Sequence, residues 1–199
     1  MNPPTPPHPD STTAVADRYS RKAEAVAALL DDASPAQWAA ESPCEGWTAA
    51  DVVDHLIETQ RDFLAGHELQ IPGPDAAQGP APRWRQHVGR VESLLRDPAV
   101  SRRDIEGFFG PTTIGATIEQ FYTWDLLVHR WDLAQAMGRD AALTDDELDS
   151  IEAALPIFGE ALHMPGICGP AVDVGDSQPR LVEVMARLGR DARRPPSTR

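Results

Sequence analysis

Residues 111–138 read PTTIGATIEQFYTWDLLVHRWDLAQAMG, and no other part of the chain carries so long a helical pattern. Apolar side chains recur about once per helical turn, which indicates a helix that packs in an interior. We predict that Pro111, Thr112 and Thr113 open this helix and that Gly138 ends it as a carboxyl-terminal cap. The apolar positions are Ile118, Tyr122, Leu126, Val128, Leu133 and Ala136.

The same spacing predicts helices on both sides of this stretch. Capping-box patterns at Thr48–Asp51 and Thr144–Glu147 indicate where two of them begin. The segment Ser101–Gly110 is predicted to be a connection, and no run alternates with a period of two for long enough to build a sheet. The sequence therefore predicts an all-α chain, a four-helix bundle with a short extra terminal helix. The predicted flanking helices cover residues 13–32, 48–66, 83–95, 144–158 and 180–188.

Both ends of the chain differ in composition from its middle. Residues 1–12 contain five prolines and almost no apolar side chain, so we expect this Pro-rich tail to be disordered. Residues 191–199 form a basic tail for which we expect the same. Residues 13–190 are predicted to form a single domain, a metal-binding helical bundle for the reasons given below.

The charge of the chain excludes several classes of partner. The sequence has 31 acidic and 18 basic side chains, a net charge of −13, which repels nucleic acids and anionic membranes. It has no apolar run of about 20 residues and no secretory signal pattern, so we expect a cytoplasmic protein. The two cysteines, Cys44 and Cys168, are too few for a disulfide framework or a cysteine-based zinc site.

A carboxylate and a histidine share one face of the long helix. Asp125 and His129 are four residues apart, so both could bind one divalent metal, although the same spacing is typical of an ordinary intrahelical hydrogen bond. A metal site needs a third ligand. His55, between Val52 and Leu56 on the second helix, is the candidate, although a lone histidine there is more often a core residue. Two histidines and one carboxylate would leave coordination positions open for water or substrate.

Three segments together resemble one family. They are SPCEGWTAADVVDHL (residues 42–56), DLLVHRWDLAQA (125–136) and PRLVEVMARLGRD (179–191). They are similar to segments of the mycothiol-dependent maleylpyruvate isomerase-like proteins, single-domain members of the DinB/YfiT-like superfamily of metalloenzymes. The resemblance extends over residues 13–191 and implies a DinB-like four-helix bundle with a metal at one end. It assigns the ligands to His55, Asp125 and His129, with the difference that characterised isomerase-type members carry glutamate where Asp125 stands.

Further residues near these motifs have two interpretations each. Asp132, seven residues after Asp125, either orients a metal ligand or bonds a loop. Trp47 is a family landmark that either packs or contacts substrate, and Arg130 meets either an anionic substrate or a surface carboxylate. Cys44 is interpreted as a buried structural thiol rather than a nucleophile, because no base is evident beside it in the sequence.

The resemblance implies a metal-dependent enzyme that uses the low-molecular-weight thiol mycothiol for S-transfer or isomerisation of a small electrophilic substrate. Zinc is the favoured metal, and nickel, iron(II) or manganese would fit the same ligands. The alternative is a non-catalytic bundle that binds metal or senses a small molecule, and a purely structural triad is a third hypothesis. The expected partners are the small-molecule substrate and the thiol; the sequence does not determine the oligomeric state, although bundles of this type could form a homodimer through exposed apolar helix faces.

Overall fold

A computed structural model describes residues 12–164 and 166–193 and confirms the all-α class. A π-helical turn, Ile118–Tyr122, joins two of the helices, and a 3₁₀ turn, Gly159–His163, follows another. The helices are α1 (Thr12–Leu30), α2 (Pro35–Trp38), α3 (Ala49–Gly66), α4 (Pro80–Leu95), α5 (Pro98–Ser101), α6 (Ile114–Thr117), α7 (Thr123–Met137), α8 (Asp145–Phe158) and α9 (Arg180–Arg187).

Four helices form the bundle. Helix α1 packs against α4 and α7, and α3 packs against the same two, so each helix has two neighbours around one core. Trp84 of α4 is fully buried in this core, where its indole N–H donates a hydrogen bond to the Ala23 carbonyl of α1. The core also includes Tyr19, Leu30, Leu56, Leu64, Leu95, Ile118, Leu126 and Leu133.

Helix α7 lies between two cores. All of its residues except Asp125 and Gln135 are buried, because α8 packs on the face that the bundle leaves open, where residues of α9 complete a second apolar cluster. The Trp124 indole N–H donates to the Ile151 carbonyl of α8. Polar side chains of a helix buried on all sides must find partners inside the protein, since burying them unpaired costs free energy.

The predicted helix caps are confirmed at three positions. The Thr48 and Thr144 hydroxyls accept hydrogen bonds from the backbone N–H of Asp51 and Glu147, and both carboxylates bond back to complete the capping boxes. Gly138 adopts φ +65° after the last turn of α7, which is the left-handed conformation that glycine favours at this position.

The prediction for Pro111, Thr112 and Thr113 was wrong, as was the absence of any sheet. These residues belong to strand β2 (Gly110–Thr113), which pairs antiparallel with β1 (Asp104–Gly107), and the helix begins at Ile114. Each strand has four residues, too few for a period-two pattern to be recognised in the sequence. The Thr113 hydroxyl accepts from the Ala116 N–H, so this threonine caps the helix instead of starting it.

The two predicted tails extend beyond the described residues at both ends of the chain. Residues 1–11 and 194–199 of the two predicted tails lie outside the described residues. Helix α1 begins at Thr12, and Asp191 accepts a hydrogen bond of 2.8 Å from Arg193 within the predicted carboxyl-terminal tail. In the described part of the chain, every helix is too short or too polar to cross a membrane.

Candidate metal centre

The structure brings His55, Asp125 and His129 together between α3 and α7. One donor atom from each residue lies within 4.8 Å of the other two. The Asp125 carboxylate is 3.8 Å from His55 Nε2 through Oδ2 and 3.3 Å from His129 Nε2 through Oδ1. The side chains of His55 and Asp125 are 23% and 24% exposed, whereas that of His129 is 8% exposed. The triad is thus reachable from solvent on the side of His55 and Asp125.

Asp132 fixes the orientation of the His129 ring. Its Oδ2 lies 2.9 Å from His129 Nδ1, and its side chain is fully buried. With the Nδ1–H donating to Asp132, Nε2 faces Asp125; its proton bonds to that carboxylate in the imidazolium form, and a metal that displaces this proton would bind Nε2. Of the two interpretations of Asp132, the contacts therefore favour orientation of a candidate ligand.

Arg190 completes this arrangement, and its role was missed in the sequence. Its guanidinium donates to both Asp132 oxygens, Nε to Oδ1 at 3.1 Å and Nη2 to Oδ2 at 2.8 Å, and Nη1 donates to the Leu188 carbonyl at 2.7 Å. Arg190 is buried although it stands at the edge of the predicted basic tail. The preceding Gly189, at φ +80°, is packed so closely on Gly169 that a Cβ would lie 2.8 Å from its carbonyl oxygen. The sequence offered one indication of this role: an aspartate on a helix predicted to be buried, Asp132, needs a positively charged partner.

The pKa values follow from these contacts. Burial lowers the pKa of His129, but the Asp125 charge and hydrogen bonds to Asp125 and Asp132 raise it well above 6.5 overall. Burial dominates at His55, where it lowers the pKa against the opposing pull of Asp125. Burial raises the pKa of Asp132, but the Arg190 charge and hydrogen bonds from His129 and Arg190 outweigh it and hold the pKa far below the ordinary range. Asp132 is thus an ionised carboxylate at neutral pH, and its negative charge stabilises the protonated form of the His129 imidazole.

Cys44 lies in the same cluster, which corrects the expectation that no base stands near it. Its thiol donates to Asp132 Oδ2 at 3.3 Å and lies 3.9 Å from His129 Nδ1. Arg190 Nη2 donates to the Cys44 sulfur at 3.5 Å, and Nη1 to the Cys168 sulfur at 3.6 Å. Cys44, His129 and Asp132 also have metal-binding spacing, but Arg190 already supplies the positive charge there.

A compact turn before α3 positions Cys44 and Trp47. The Ser42 N–H donates to the Trp47 carbonyl at 2.8 Å, the Trp47 N–H donates to the Cys44 carbonyl at 3.0 Å, and Gly46 adopts φ +80° between them. The half-buried Trp47 ring has its centroid 4.7 Å from that of His55 and 6.3 Å from that of His129. Trp47 therefore forms a wall of the site, beside both imidazoles.

Arg130 points to a different part of the molecule. Its buried guanidinium donates two hydrogen bonds to Glu147 of α8, one of them at 3.0 Å. Glu147 also belongs to the capping box of α8. The structure therefore favours the carboxylate-pairing interpretation of Arg130 over the predicted contact with an anionic substrate.

The remaining described histidines lie outside the triad. His87 is buried and contacts Gln60 Oε1 through Nε2 at 3.0 Å. His163 Nδ1 is 2.7 Å from the Gly169 carbonyl oxygen, and His67 packs its ring on Phe63.

Comparisons with known proteins agree with the predicted resemblance. Residues 19–134 match the family described as mycothiol maleylpyruvate isomerase N-terminal domain, and this range contains the motifs around His55 and His129. Two uncharacterised proteins, from two strains of Mycobacterium tuberculosis, are each 25% identical over 150 residues, which is 74% of this chain and 81% of theirs. No solved structure gives a significant match.

Proposed function

Since the chain belongs to the mycothiol maleylpyruvate isomerase N-terminal domain family, we propose that it is a metal-dependent enzyme that uses a low-molecular-weight thiol. The ligands of the divalent metal are His55, Asp125 and His129. Mycothiol is the thiol, and the reaction is S-transfer to, or isomerisation of, a small electrophilic molecule. The observation that carries the proposal is the convergence of three donor atoms within 4.8 Å, one of them on a ring held by Asp132.

The donor set fits a divalent metal. Separations of 3.3 and 3.8 Å between carboxylate and imidazole atoms are compatible with donors that share one ion at about 2.0–2.2 Å. Two imidazoles and one carboxylate suit zinc best and also suit nickel, iron(II) and manganese. Three protein ligands leave room for an exogenous one, as in catalytic rather than structural sites.

Each residue of the site has a defined task in this proposal. Asp132 accepts a hydrogen bond from His129 Nδ1, so Nε2 is the nitrogen that binds the metal. Arg190 keeps Asp132 ionised. Trp47 covers the His55 and His129 rings, which limits access of water from its side. A divalent cation at this position would favour the thiolate form of a bound thiol at neutral pH and so supply the nucleophile.

Metal analysis is the first test. The purified protein is loaded with zinc, dialysed and measured for bound metal, beside His55→Ala, His129→Ala and the control His163→Ala, whose histidine lies outside the triad. We expect about one ion per chain in the wild type and the control, and strong depletion in both triad variants. Equal metal content in all four proteins would refute the site.

Thiol binding is the second test and separates the enzyme from the alternative. Cobalt-substituted protein is titrated with mycothiol and followed by absorption spectroscopy. New absorption from sulfur–cobalt charge transfer, absent in His129→Ala, would support the enzyme proposal. A cobalt spectrum that saturating mycothiol does not change would favour the alternative, a non-catalytic bundle that binds metal or senses a small molecule.

A further inference from the structure

A second cavity lies outside the metal triad. It has a volume of about 440 Å³ and opens between the β1–β2 hairpin, the π-helical turn before α7 and the end of α8. Six of its seventeen lining residues are phenylalanine or tyrosine, and these six come from four separate parts of the chain. The lining rings are Phe63, Phe108, Phe109, Phe121, Tyr122 and Phe158.

The hairpin tip carries two phenylalanines that the turn does not require. Phe108 and Phe109 form the two-residue turn and are 75% and 50% exposed. Such turns usually carry asparagine, aspartate or glycine, because these residues adopt the turn conformation or bond to it. Here Gly107 and Gly110 on either side supply the small residues, with Gly110 at φ +109°. Neither the turn conformation nor burial in a core accounts for these two exposed phenylalanines, and exposed apolar patches often mark binding sites.

The rings are arranged as the walls of a cleft. Phe109 stacks on Phe121 with centroids 5.7 Å apart, and Phe158 meets Phe121 edge-on at 5.5 Å. Phe63 and Tyr122 form a further pair at 5.1 Å. These distances are typical of aromatic pairs in protein interiors, yet they lie around an open cavity.

We propose that this cleft is a binding site for a small molecule that carries one flat ring system and no negative charge. A volume of about 440 Å³ is within the range of small-molecule sites and too small for a peptide helix. Aromatic rings on several sides suit a flat ligand, and Thr112 and Gln120 at the cavity offer hydrogen bonds for its orientation. Glu106 at the cavity and the net charge of −13 disfavour an anion.

The test uses the neutral fluorescent probe N-phenyl-1-naphthylamine with the full-length protein. We expect saturable binding of one probe per chain. Phe109→Ser removes an exposed wall of the cleft and should weaken binding at least fivefold. Ile157→Ser is the control, because Ile157 is a comparably exposed apolar residue, at 44%, that does not line this cleft. The control should bind the probe within twofold of the wild type.

Three results would overturn the inference. These are the absence of saturable binding, equal weakening by Phe109→Ser and Ile157→Ser, or a wild-type dimer that Phe109→Ser converts to a monomer. In the last case, which light scattering after size-exclusion chromatography detects, the cleft would hold a second copy of the chain. Because no triad residue lines the cleft, His55→Ala should bind the probe like the wild type, and this result is independent of metal binding.

Discussion

The Arg190 guanidinium donates two hydrogen bonds to the Asp132 carboxylate, which in turn bonds to His129 Nδ1. This chain of contacts connects the segment after α9 to a candidate metal ligand on α7. The segment that ends the described chain therefore supports the candidate site, although it contributes no ligand. Removal of either partner would leave a buried charge without its counter-charge.

We predict that Asp132→Asn and Arg190→Met each lower the free energy of unfolding by about 3 kcal/mol, because each strands the other member of a buried pair. The double variant should lose less than the sum of the two, with a coupling of about 0.5–3 kcal/mol. Urea denaturation of the four proteins measures this cycle. Strict additivity would mean that the two side chains stabilise the fold independently.

Asp132→Asn should also weaken metal binding about 10–100-fold, because the His129 ring loses the acceptor that fixes its tautomer. Competition with a chromophoric zinc chelator measures the affinity. The matched variant Asp62→Asn changes an exposed carboxylate of α3 and should bind zinc as the wild type does. Unchanged affinity in Asp132→Asn would show that the contact between Asp132 and His129 does not orient a ligand.

Asp125→Glu should retain one metal per chain, whereas Asp125→Asn should lose most of it. The family resemblance implies glutamate as a ligand at this position, and the partial exposure of Asp125 leaves space for one more methylene group. A neutral amide lacks the negative charge that attracts a divalent cation and is not among its usual ligands. Metal content after dialysis distinguishes the two variants. Retention of metal by Asp125→Asn would exclude this carboxylate as a ligand.

Arg130→Met should destabilise the protein by about 2 kcal/mol without changing its metal content. The buried Arg130 bonds to Glu147, and hydrogen bonds to charged groups contribute about 1.5–3 kcal/mol. Thermal unfolding and metal analysis on the same sample test both statements. A variant of normal stability that loses thiol or substrate binding would instead support the predicted substrate contact.

The stability of the protein should fall as the pH drops below about 6.5, in part because of His87. Burial first, and then the charges of Arg61 and Arg90, lower the pKa of His87 from 6.5 to about 3. Between these values the unfolded chain binds a proton that the folded chain does not, so acid favours unfolding. This residue alone should cost on the order of 2 kcal/mol between pH 7 and pH 5.

Urea unfolding at pH 7 and pH 5 measures this effect. His87→Asn should flatten the pH dependence, since asparagine keeps a donor for Gln60 and does not titrate. The matched change at the exposed His163 should leave the pH dependence as it is in the wild type. If His87→Asn retains the wild-type slope, the acid sensitivity arises elsewhere.

The sequence by itself determined the longer helices, three of their caps and the candidate pair Asp125 and His129. Apolar spacing located α1, α3, α4 and α7–α9, because helical periodicity and capping are local properties of the chain. Asp125 and His129 could be paired for the same reason, since four residues make one helical turn. His55 was assigned by the family motif, which carries information from other sequences.

Only the tertiary structure decided which polar side chains support these ligands. Arg190 lies 58 residues from Asp132 along the chain, and no local pattern distinguishes a buried arginine from one in a basic tail. The position of Cys44 beside Asp132 and the pairing of Arg130 with Glu147 depend in the same way on how distant segments pack. The hairpin and its aromatic cleft were also missed, because strands of four residues gain their stability from pairing and packing rather than from periodicity.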